Sequence, residues 1–369
     1  MADFMHVTDL IYRSCPQYVP DLETDIREQF DLRTNPGLEF SEVQPFLALR
    51  DGKAVGRIVG VINSHANDKW NTRNVRFSMI EFIDDLQVSK ALTDAVMEWG
   101  RERGMECIHG PLGITDFDKE GMLVEDFDLI GSMNTIYNHP YYPRHMEQLG
   151  FTKEVDWVQV HVDMPENVPP RFARIAAVVR ERMGLRVIKL TDNAITHQGL
   201  GHKIFQLLNE AYAPLFGFSA FSDGQIDFFV KKYLRLIDKR LMPVVVNRDG
   251  EIVGVAITMG SLNHAMQKTH GRLWPTGWMH LLRAVKWRHE DGVEMLLVAV
   301  HPRYQGKGVN ALFFDDLIPI YNDSGFRWAE TGPQLENNMK ELSQWDELKP
   351  KYIKRRRCYT LRFMPTAAR

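Results

Sequence analysis

The sequence has few residues that build a disulfide framework or a thiolate metal site. Only three cysteines occur among 369 residues, and no two are closely spaced: Cys15, Cys107 and Cys358. The histidines likewise show no metal-like spacing with carboxylates: His109, His139, His145, His161, His264 and His270. This pattern argues against a disulfide-rich secreted fold and against a thiolate metal centre, so we expect no metal site.

Long hydrophobic runs and an excess of one charge are also missing. No apolar run is long enough to span a bilayer, and no charged-then-apolar leader is seen at the N-terminus. The formal net charge of −3 gives no global attraction to nucleic acid or to an anionic membrane. With 44% hydrophobic and 25% charged residues, the composition is that of a globular protein, and we expect a reduced, cytoplasmic one.

Length and a proline-rich seam indicate two domains. Hydrophobic cores rarely grow beyond about 250–300 residues, and this chain is longer. An alternating run, Trp157–Met164, ends at Pro165, and two further prolines follow at 169 and 170. Because proline cannot continue a central strand, the run predicts the last strand of one domain. We therefore predict a first domain over residues 1–165, a linker and helix over 166–184, and a second domain over 185–369.

The two halves share a coarse order of elements. Each has two strand-like segments around an Asp-Gly turn, Asp51-Gly52 in the first half and Asp249-Gly250 in the second. In each half the hairpin is followed by a strand, a helix, a short strand, a helix and a final strand. This order predicts a duplicated α/β unit, with a mixed sheet and flanking helices.

The second half contains a glycine-rich loop between a strand and a helix. Val293–Val300 is apolar apart from Glu294, which is typical of a buried strand, and the apolar residues from Val309 onward have helical spacing. Between them lies Arg303–Gly308, whose two glycines let main-chain N–H groups turn toward one point at the positive end of the helix. Such a loop binds phosphate oxygens, and its Arg and Lys add charge. A tight turn without a ligand is the competing interpretation.

Among known phosphate loops, one pattern fits closely. The P-loop pattern ends in Gly-Lys-Ser or Gly-Lys-Thr and has no place for Val309 after Gly308. The dinucleotide fingerprint needs three glycines, and only two are present here. In contrast, Val300-His301-Pro302 followed by Gln305-Gly306-Lys307-Gly308 resembles the acyl-CoA loop of the GNAT superfamily of N-acyltransferases. Asn310 departs from that pattern, because Gly or Ala is usual there. The resemblance implies a donor, acetyl-CoA or another acyl-CoA, whose pyrophosphate the loop wraps and whose pantetheine arm lies along the end of the strand. The residues implied in donor binding are Val298, Val300, Arg303, Gln305, Gly306, Lys307, Gly308, Val309, Asn310 and Asn338.

The first half resembles a degenerate GNAT unit. Asn138–Phe151 resembles the late helix of the family, which closes on Leu-Gly-Phe. The helix predicted over Val88–Arg103, however, follows Asp84 and Asp85 instead of a glycine nest, and carboxylates repel a pyrophosphate. The sequence thus predicts two tandem GNAT-like units, the first degenerate, with one acyl-CoA site in the second.

The sequence indicates the residues that would perform acyl transfer less clearly than it indicates the loop. The resemblance implies a carboxylate base on the strand before the loop, which makes Glu294 a candidate; a strand carboxylate that faces the surface is the competing interpretation. It also implies a tyrosine acid on the late helix, but Trp345 stands there and cannot give up a proton at neutral pH. Tyr352 is our candidate acid. The alternatives are catalysis by proximity alone, proton donation by solvent, or another tyrosine: Tyr304, Tyr321 or Tyr359.

An insertion, Ser261–Gly292, separates the second hairpin from the strand before the loop. Within it lies an apolar stripe at helical spacing: Trp278, Leu281, Leu282 and Val285. The stripe predicts a helix packed on the core, and the alternatives are a lid over an apolar pocket or a helix at a membrane surface. In the lid interpretation, Trp278 and Leu282 line a substrate pocket together with Trp345.

These features predict an acyl-CoA-dependent N-acyltransferase that moves an acetyl or longer acyl group to an amine. The expected acceptor is a small-molecule amine or an amino-acid-like compound. A non-catalytic acyl-CoA sensor and a tandem-GNAT transferase that uses aminoacyl-tRNA are the alternatives. The basic run Lys354–Arg357 lies in an alternating terminal segment, so a basic edge strand or a CoA phosphate contact explains it without nucleic acid.

Overall fold

A computed structural model describes residues 1–234, 236–287 and 290–364. The strands, numbered in chain order, are β1 (Ser41–Arg50), β2 (Lys53–Asn63), β3 (Asn74–Phe82), β4 (Cys107–Gly110), β5 (Met122–Leu123), β6 (Thr152–Asp163), β7 (Arg186–Lys189), β8 (Pro243–Val246), β9 (Ile252–Gly260), β10 (Gly292–Val300), β11 (Trp328–Thr331), β12 (Gln334–Leu335) and β13 (Lys351–Arg362).

The α-helices, also in chain order, are α1 (Ala2–Tyr12), α2 (Glu23–Glu28), α3 (Ser64–Trp70), α4 (Leu86–Glu102), α5 (Tyr141–Gln148), α6 (Pro170–Met183), α7 (Asp192–Thr196), α8 (Leu200–Tyr212), α9 (Asp223–Phe229), α10 (Asn263–Thr269), α11 (Gly277–Lys286), α12 (Val309–Asp323) and α13 (Met339–Leu342). Short 3-10 turns and one π-helical turn join them: Pro36–Glu39, Val230–Leu234, Lys239–Leu241, Pro302–Tyr304 and Ser343–Leu348. No described helix is long and apolar enough to cross a membrane.

The described residues form two compact units. Unit 1 comprises Met1–Val158, Asn263–His280 and the described residues from Lys354 onward, and unit 2 comprises Gln159–Leu262 and Leu281–Ile353. The first boundary falls inside β6, a few residues before the seam expected at proline 165. Two segments of the expected second domain, part of the insertion and most of the terminal strand, belong to unit 1.

Unit 1 is built on the hairpin of β1 and β2. Asp51 and Gly52 both have positive φ, at +50° and +75°, as a two-residue hairpin turn of this kind requires. β3 pairs with β2 in antiparallel and with β4 in parallel orientation, and β13 pairs with β4 in antiparallel register, with Tyr359 opposite Gly110. Helix α4 buries one apolar face, which includes Val96, in the core formed with these strands.

Unit 2 also combines antiparallel and parallel strand pairs. Strands β7 to β10 pair in antiparallel order, β10 and β11 are parallel, and the end of β6 pairs with β11 in antiparallel register. Helix α12 packs against α6, where the rings of Phe172 and Phe314 stack with centroids 4.5 Å apart. Arg180 of α6 pairs with Asp315 of α12 at 2.5 Å. The expected mixed sheets with flanking helices are therefore confirmed.

Candidate functional site

The glycine-rich loop joins the end of β10 to the start of α12. After Val300, His301 Nδ1 accepts a hydrogen bond from the Arg303 N–H at 3.1 Å, which closes the 3-10 turn. Gln305 Nε2 donates to Val300 O at 3.0 Å and so ties the loop back to the end of the strand. The side chain of Gln305 thereby supports the shape of the loop on which anion binding depends.

Main-chain N–H groups of the loop are available to a ligand. Gly306 and Gly308 have φ of +72° and +84°, in the left-handed region that favours glycine. Within the described chain, no oxygen accepts a hydrogen bond from the N–H of Gly306, Gly308, Val309 or Asn310. These groups lie at the start of α12, where the helix dipole is positive. The exposed side chains of Arg303 and Lys307 flank them, so the loop is suited to bind an anion.

Helix α6 encloses Gly308 from one side. A Cβ added at Gly308 would lie 2.6 Å from Ile175 Cγ2 and 3.3 Å from Val179 Cγ2, closer than packed atoms approach. A Cβ at Gly306 would meet nothing within 4 Å. The two glycines therefore differ: Gly306 is needed for its backbone conformation, and Gly308 for conformation and space together.

Strands β10 and β11 separate next to this loop. They pair in parallel only from Gly292 to Met295, where Met295 lies opposite Thr331, whereas β10 continues to pair with β9 as far as Val300. From residue 296 onward, the edge of β10 that faces β11 has no strand partner within the described sheet. Main-chain hydrogen-bonding groups at such an edge can bind an extended ligand, as the sequence predicted for Val298 and Val300.

One tyrosine contacts the separated segment. The hydroxyl of Tyr212, at the end of α8, donates to Val298 O at 3.0 Å. The sequence analysis did not single out Tyr212, because it lies almost ninety residues before its partner in the chain and no local pattern relates the two.

Two buried glutamates lie at the point where β10 and β11 separate. Glu294 and Glu330 are register partners, which places their side chains on the same face of the sheet. Only 2% of Glu294 and 8% of Glu330 is exposed. His161 of β6 is the register partner of Glu330, and its Nδ1 lies 3.1 Å from Glu330 Oε1. The surface-facing interpretation of Glu294 is therefore wrong.

A buried amide lies beside the same point. Gln159 Nε2 donates to Thr331 O at 2.8 Å, and the Val160 N–H donates to Thr331 Oγ1 at 2.9 Å. Gln159 is buried, and its Oε1 has no hydrogen-bond partner among the described residues. A buried carbonyl without a donor is costly.

The tyrosines that the sequence offered as candidate acids lie in different environments. Tyr352 is half exposed on β13, and no described hydrogen bond joins it to the loop or to Glu294. Tyr321 is buried and donates to Thr258 Oγ1 at 2.9 Å, and Tyr359 belongs to unit 1. Tyr304 lies in the loop, with the Lys307 ammonium 5.8 Å from its ring.

Trp345 is a core residue of unit 2. It is almost fully buried. Its ring centroid lies 5.4 Å from that of Phe314 in an edge-to-face arrangement, and its indole N–H donates to Gln334 Oε1 at 3.3 Å. Nearby, Asn310 Nδ2 donates to Gln344 Oε1 at 2.6 Å, and Asn338 precedes α13, with its carbonyl accepting from the first turn. These contacts give the late helix a packing role. Its part in substrate binding stays a prediction.

Helix α11 does not pack its apolar stripe on the core. Trp278, Leu282 and Val285 are exposed and Leu281 is half-buried, whereas Gly277 and Ala284 are the buried residues of this helix. The expectation of a core helix is therefore wrong, because the buried face is narrow and lies to one side of the stripe.

In unit 1 the helix that corresponds to α12 is α4. A carboxylate of the chain itself already occupies the N-terminus of this helix. Asp85 caps α4 by accepting from the Gln87 N–H at 2.8 Å, and it pairs with Arg50 at 2.6 Å. The hydrogen bond from Arg50 lowers the pKa of Asp85, so that this side chain is an anion at neutral pH. A second anion is disfavoured there.

Unit 1 instead contains a buried acid that the sequence analysis missed. Glu81 of β3 accepts hydrogen bonds from the hydroxyls of Tyr12 at 2.7 Å and Tyr142 at 2.6 Å. Burial raises the pKa of Glu81 to about 7, against an opposing effect of Arg57. The single signal in the sequence was an isolated glutamate in an apolar strand.

One mixed cluster of potential metal ligands lies in unit 1. His109 Nδ1 and Cys358 Sγ lie 3.1 Å and 3.5 Å from the same oxygen of Glu154. Burial lowers the pKa of His109 and raises that of Cys358 well above its usual value. A neutral thiol hydrogen-bonded to a carboxylate is not a metal ligand in that state, and the absence of a metal stays our prediction.

Comparisons with known proteins were made for the whole chain. No protein-family model matches it. It is 25% identical to "Protein YghO" of Escherichia coli (strain K12) over 323 residues, which cover 87% of this chain and 81% of that protein. It is 27% identical to "Bacterial ceramide synthase" of Caulobacter vibrioides (strain NA1000 / CB15N) over 294 residues, which cover 79% of this chain and 75% of that protein.

Solved structures match over nearly the full chain. A tandem GNAT protein from the clavulanic acid biosynthesis pathway superposes with a TM-score of 0.58 at 12% identity, covering 99% of this chain and 95% of that one. A GCN5-related glucosamine N-acetyltransferase region of a fungal multi-domain GH3 beta-N-acetylglucosaminidase gives a TM-score of 0.57 at 15% identity. That match covers 97% of this chain and 37% of the fungal one. The chain therefore has the tandem GNAT fold, with two units of this fold in one polypeptide.

Proposed function

We propose that the chain is an acyl-CoA-dependent N-acyltransferase whose donor binds to unit 2. The observation that carries this proposal is the set of main-chain N–H groups at residues 306 and 308–310 beside the unpaired edge of β10. The tandem GNAT fold and the relative named as a ceramide synthase support acyl transfer as the general chemistry. A thioester of CoA would supply the activated acyl group.

Binding of the donor is assigned to three parts of unit 2. The N–H groups of Gly306, Gly308 and the first turn of α12 bind the pyrophosphate, and Arg303 and Lys307 add charge. The edge of β10 from Leu296 to Val300 has no strand partner and offers main-chain N–H groups to the pantetheine arm, whereas Val298 O and Val300 O already accept from Tyr212 and Gln305. The unpartnered Oε1 of Gln159 accepts one N–H of a bound substrate.

The acid and base of the reaction are assigned by position. Glu294 lies where the strands separate, and we assign to it the proton that the amine loses as its nitrogen attacks the acyl carbon. As the carbon–sulfur bond breaks, the leaving sulfur needs a proton. Tyr212 is a better-placed donor than Tyr352, because its hydroxyl already contacts the separated segment at Val298 O. Tyr352 stays a second candidate.

For the acceptor we propose an amine on a long apolar chain. A ceramide is an amide between a fatty acyl group and the amine of a long-chain base, so the product named for the Caulobacter relative results from N-acyl transfer. A water-soluble amine or an amino-acid-like compound is the other acceptor class to test.

A thiol-release assay tests this proposal directly. Purified protein is given acetyl-CoA or palmitoyl-CoA together with sphinganine, spermidine or an amino acid, and free CoA is measured. We expect release that requires both a donor and an amine, and Glu294→Gln to abolish it. Calorimetric binding of acyl-CoA without release for any amine would favour the sensor alternative. Absence of binding would overturn the assignment and leave the aminoacyl-tRNA alternative.

A further inference from the structure

The helix α11 and its two flanks expose an unusual amount of large apolar surface. Trp274 and Trp287, on either side of the helix, are 79% and 75% exposed. On the helix itself, the exposed apolar residues follow one another along one side: Trp278, Met279, Leu282 and Val285. Three exposed tryptophans within one short segment are unlike an ordinary surface, where single apolar residues are scattered.

The charge around this segment differs from that of the chain. Asp and Glu make up 48 of the 369 residues, yet none occurs from Ile252 to residue 289, a stretch that contains five Lys and Arg. Arg283 and Lys286 border the exposed apolar side of α11, and neither has an ion pair within the described chain. Arg272 of this segment pairs with Glu23 at 2.7 Å and with Asp9 at 3.5 Å. The cationic character therefore lies on α11 itself, at Arg283 and Lys286, although the whole chain has a net charge of −3.

The length of the helix determines how it can meet a lipid. Ten residues of α-helix extend about 15 Å, half the thickness of the hydrocarbon core of a bilayer. Such a helix cannot span, but it can lie in the interface with its apolar side among the acyl chains and its cations at the headgroups. Tryptophan is the residue that favours this depth most, because its ring is apolar and its N–H is polar.

We propose that α11, together with Trp274 and Trp287, binds the surface of an anionic lipid bilayer. The cations of α11, Arg283 and Lys286, favour a negatively charged partner, and the exposed rings favour an apolar one; a bilayer with anionic headgroups offers both. A second copy of this chain would present the same cations on the same helix, and it is treated as an outcome of the test.

Vesicle co-sedimentation of the full chain tests the proposal. Vesicles of phosphatidylcholine alone and of phosphatidylcholine with phosphatidylglycerol are compared without any substrate, so the result is independent of the proposed enzymatic function. We expect binding to the mixed vesicles, weakened by salt. Arg283→Gln with Lys286→Gln should weaken it about twentyfold at low salt, because each cation near an anionic surface contributes several-fold.

Apolar variants and a matched control complete the experiment. A triple variant should weaken binding at least about tenfold: Trp274→Ser, Trp278→Ser and Trp287→Ser combined. Leu49→Ser combined with Leu236→Ser, two exposed leucines elsewhere in the chain, should leave it unchanged. Circular dichroism verifies that each variant is folded. Equal binding by the tryptophan variant overturns the proposal, as does a wild-type protein that ignores both vesicles. A dimer in sedimentation that this variant disperses would assign the surface to a second copy instead.

Discussion

Glu294 and Glu330 are register partners on the parallel strands β10 and β11, and both are buried just before these strands separate. Two neighbouring carboxylates repel each other in a buried site unless one is held by a positive or hydrogen-bonding partner. His161 provides that partner to Glu330 at 3.1 Å. In the function proposed above, Glu330 therefore has a positioning role, and Glu294 is the residue to which we assign the acid–base work.

Substitution at Glu294 should therefore affect turnover more than binding. We expect Glu294→Gln to lower kcat about 100-fold or more, the usual cost of losing a general base, with the affinity for acyl-CoA changed less than about twofold. Glu330→Gln should cost less, because the amide can still accept a hydrogen bond from His161. Thiol release measures kcat and calorimetry measures affinity. The reverse order, with Glu330→Gln the more severe, would contradict this assignment.

Gly308 should be more sensitive to substitution than Gly250, another positive-φ glycine of unit 2. An alanine at positive φ costs about 1 kcal/mol from backbone strain alone, and at Gly308 its Cβ would also lie 2.6 Å from Ile175 Cγ2. Gly250, at φ +80° in the hairpin turn, has nothing within 4 Å of an added Cβ and is the matched control. We expect Gly308→Ala to lower the free energy of unfolding in urea by more than Gly250→Ala.

The same two variants, Gly308→Ala and Gly250→Ala, also distinguish an effect on stability from an effect on acyl-CoA binding. Gly308→Ala should also weaken acyl-CoA binding, because displacing the loop moves its N–H groups, whereas Gly250→Ala should not. In a double-mutant cycle, Ile175→Ala should recover part of the loss, because it removes the atom that the new Cβ meets. Full additivity of Gly308→Ala and Ile175→Ala would show that the contact with α6 is not the cause.

The loop was predictable from the sequence because its signals are local. An apolar strand, a proline, two glycines and an amphipathic helix follow each other within about twenty residues, and positive φ at Gly306 and Gly308 is what such glycines favour. The turn at Asp51 was predictable for the same reason. By contrast, the burial of Glu294 depends on strands that are distant in the sequence.

Long-range pairing also explains the basic run near the C-terminus. Arg357 forms a bidentate pair with buried Asp156, at 2.8 Å and 3.0 Å, and Arg356 donates to Thr135 Oγ1 at 2.7 Å. Strand β13 lies between β4 and β6 and is not an edge strand, so that interpretation of the run was wrong. Net charge is a different kind of signal, because it averages over the whole chain and does not report the Lys and Arg around α11.

The stability of unit 1 should fall as pH rises through the window from about 4.5 to about 7. Glu81 has an ordinary pKa of 4.5 when exposed, and burial raises it to about 7. Within this window the folded chain keeps a proton that the unfolded chain loses, so the free energy of unfolding decreases with pH, by about 3 kcal/mol in total. Raised pKa values at Asp116 and Glu120 act in the same direction.

A neutral substitution isolates the part that belongs to Glu81. Glu81→Gln keeps an acceptor for the hydroxyls of Tyr12 and Tyr142 but cannot ionise. We expect this variant to show a flatter dependence of unfolding free energy on pH between 5 and 8, measured by urea titration. Glu98→Gln, at an exposed position on α4, should retain the full slope. An unchanged slope in Glu81→Gln would show that this carboxyl is already ionised in the folded chain.

Acyl transfer and stability should be independent of any metal. The cluster of His109, Glu154 and Cys358 has the residue types of a zinc site. However, His109 Nδ1 and Cys358 Sγ already form hydrogen bonds with Glu154 Oε2, at 3.1 Å and 3.5 Å. Because burial raises the pKa of the Cys358 thiol and keeps it protonated, a metal would first have to displace that proton. Dialysis against EDTA should therefore leave thiol release and the Tm unchanged, and elemental analysis should find less than about one zinc per ten chains. Stoichiometric zinc that disappears in Cys358→Ala, while Cys107→Ala retains it, would prove this expectation wrong.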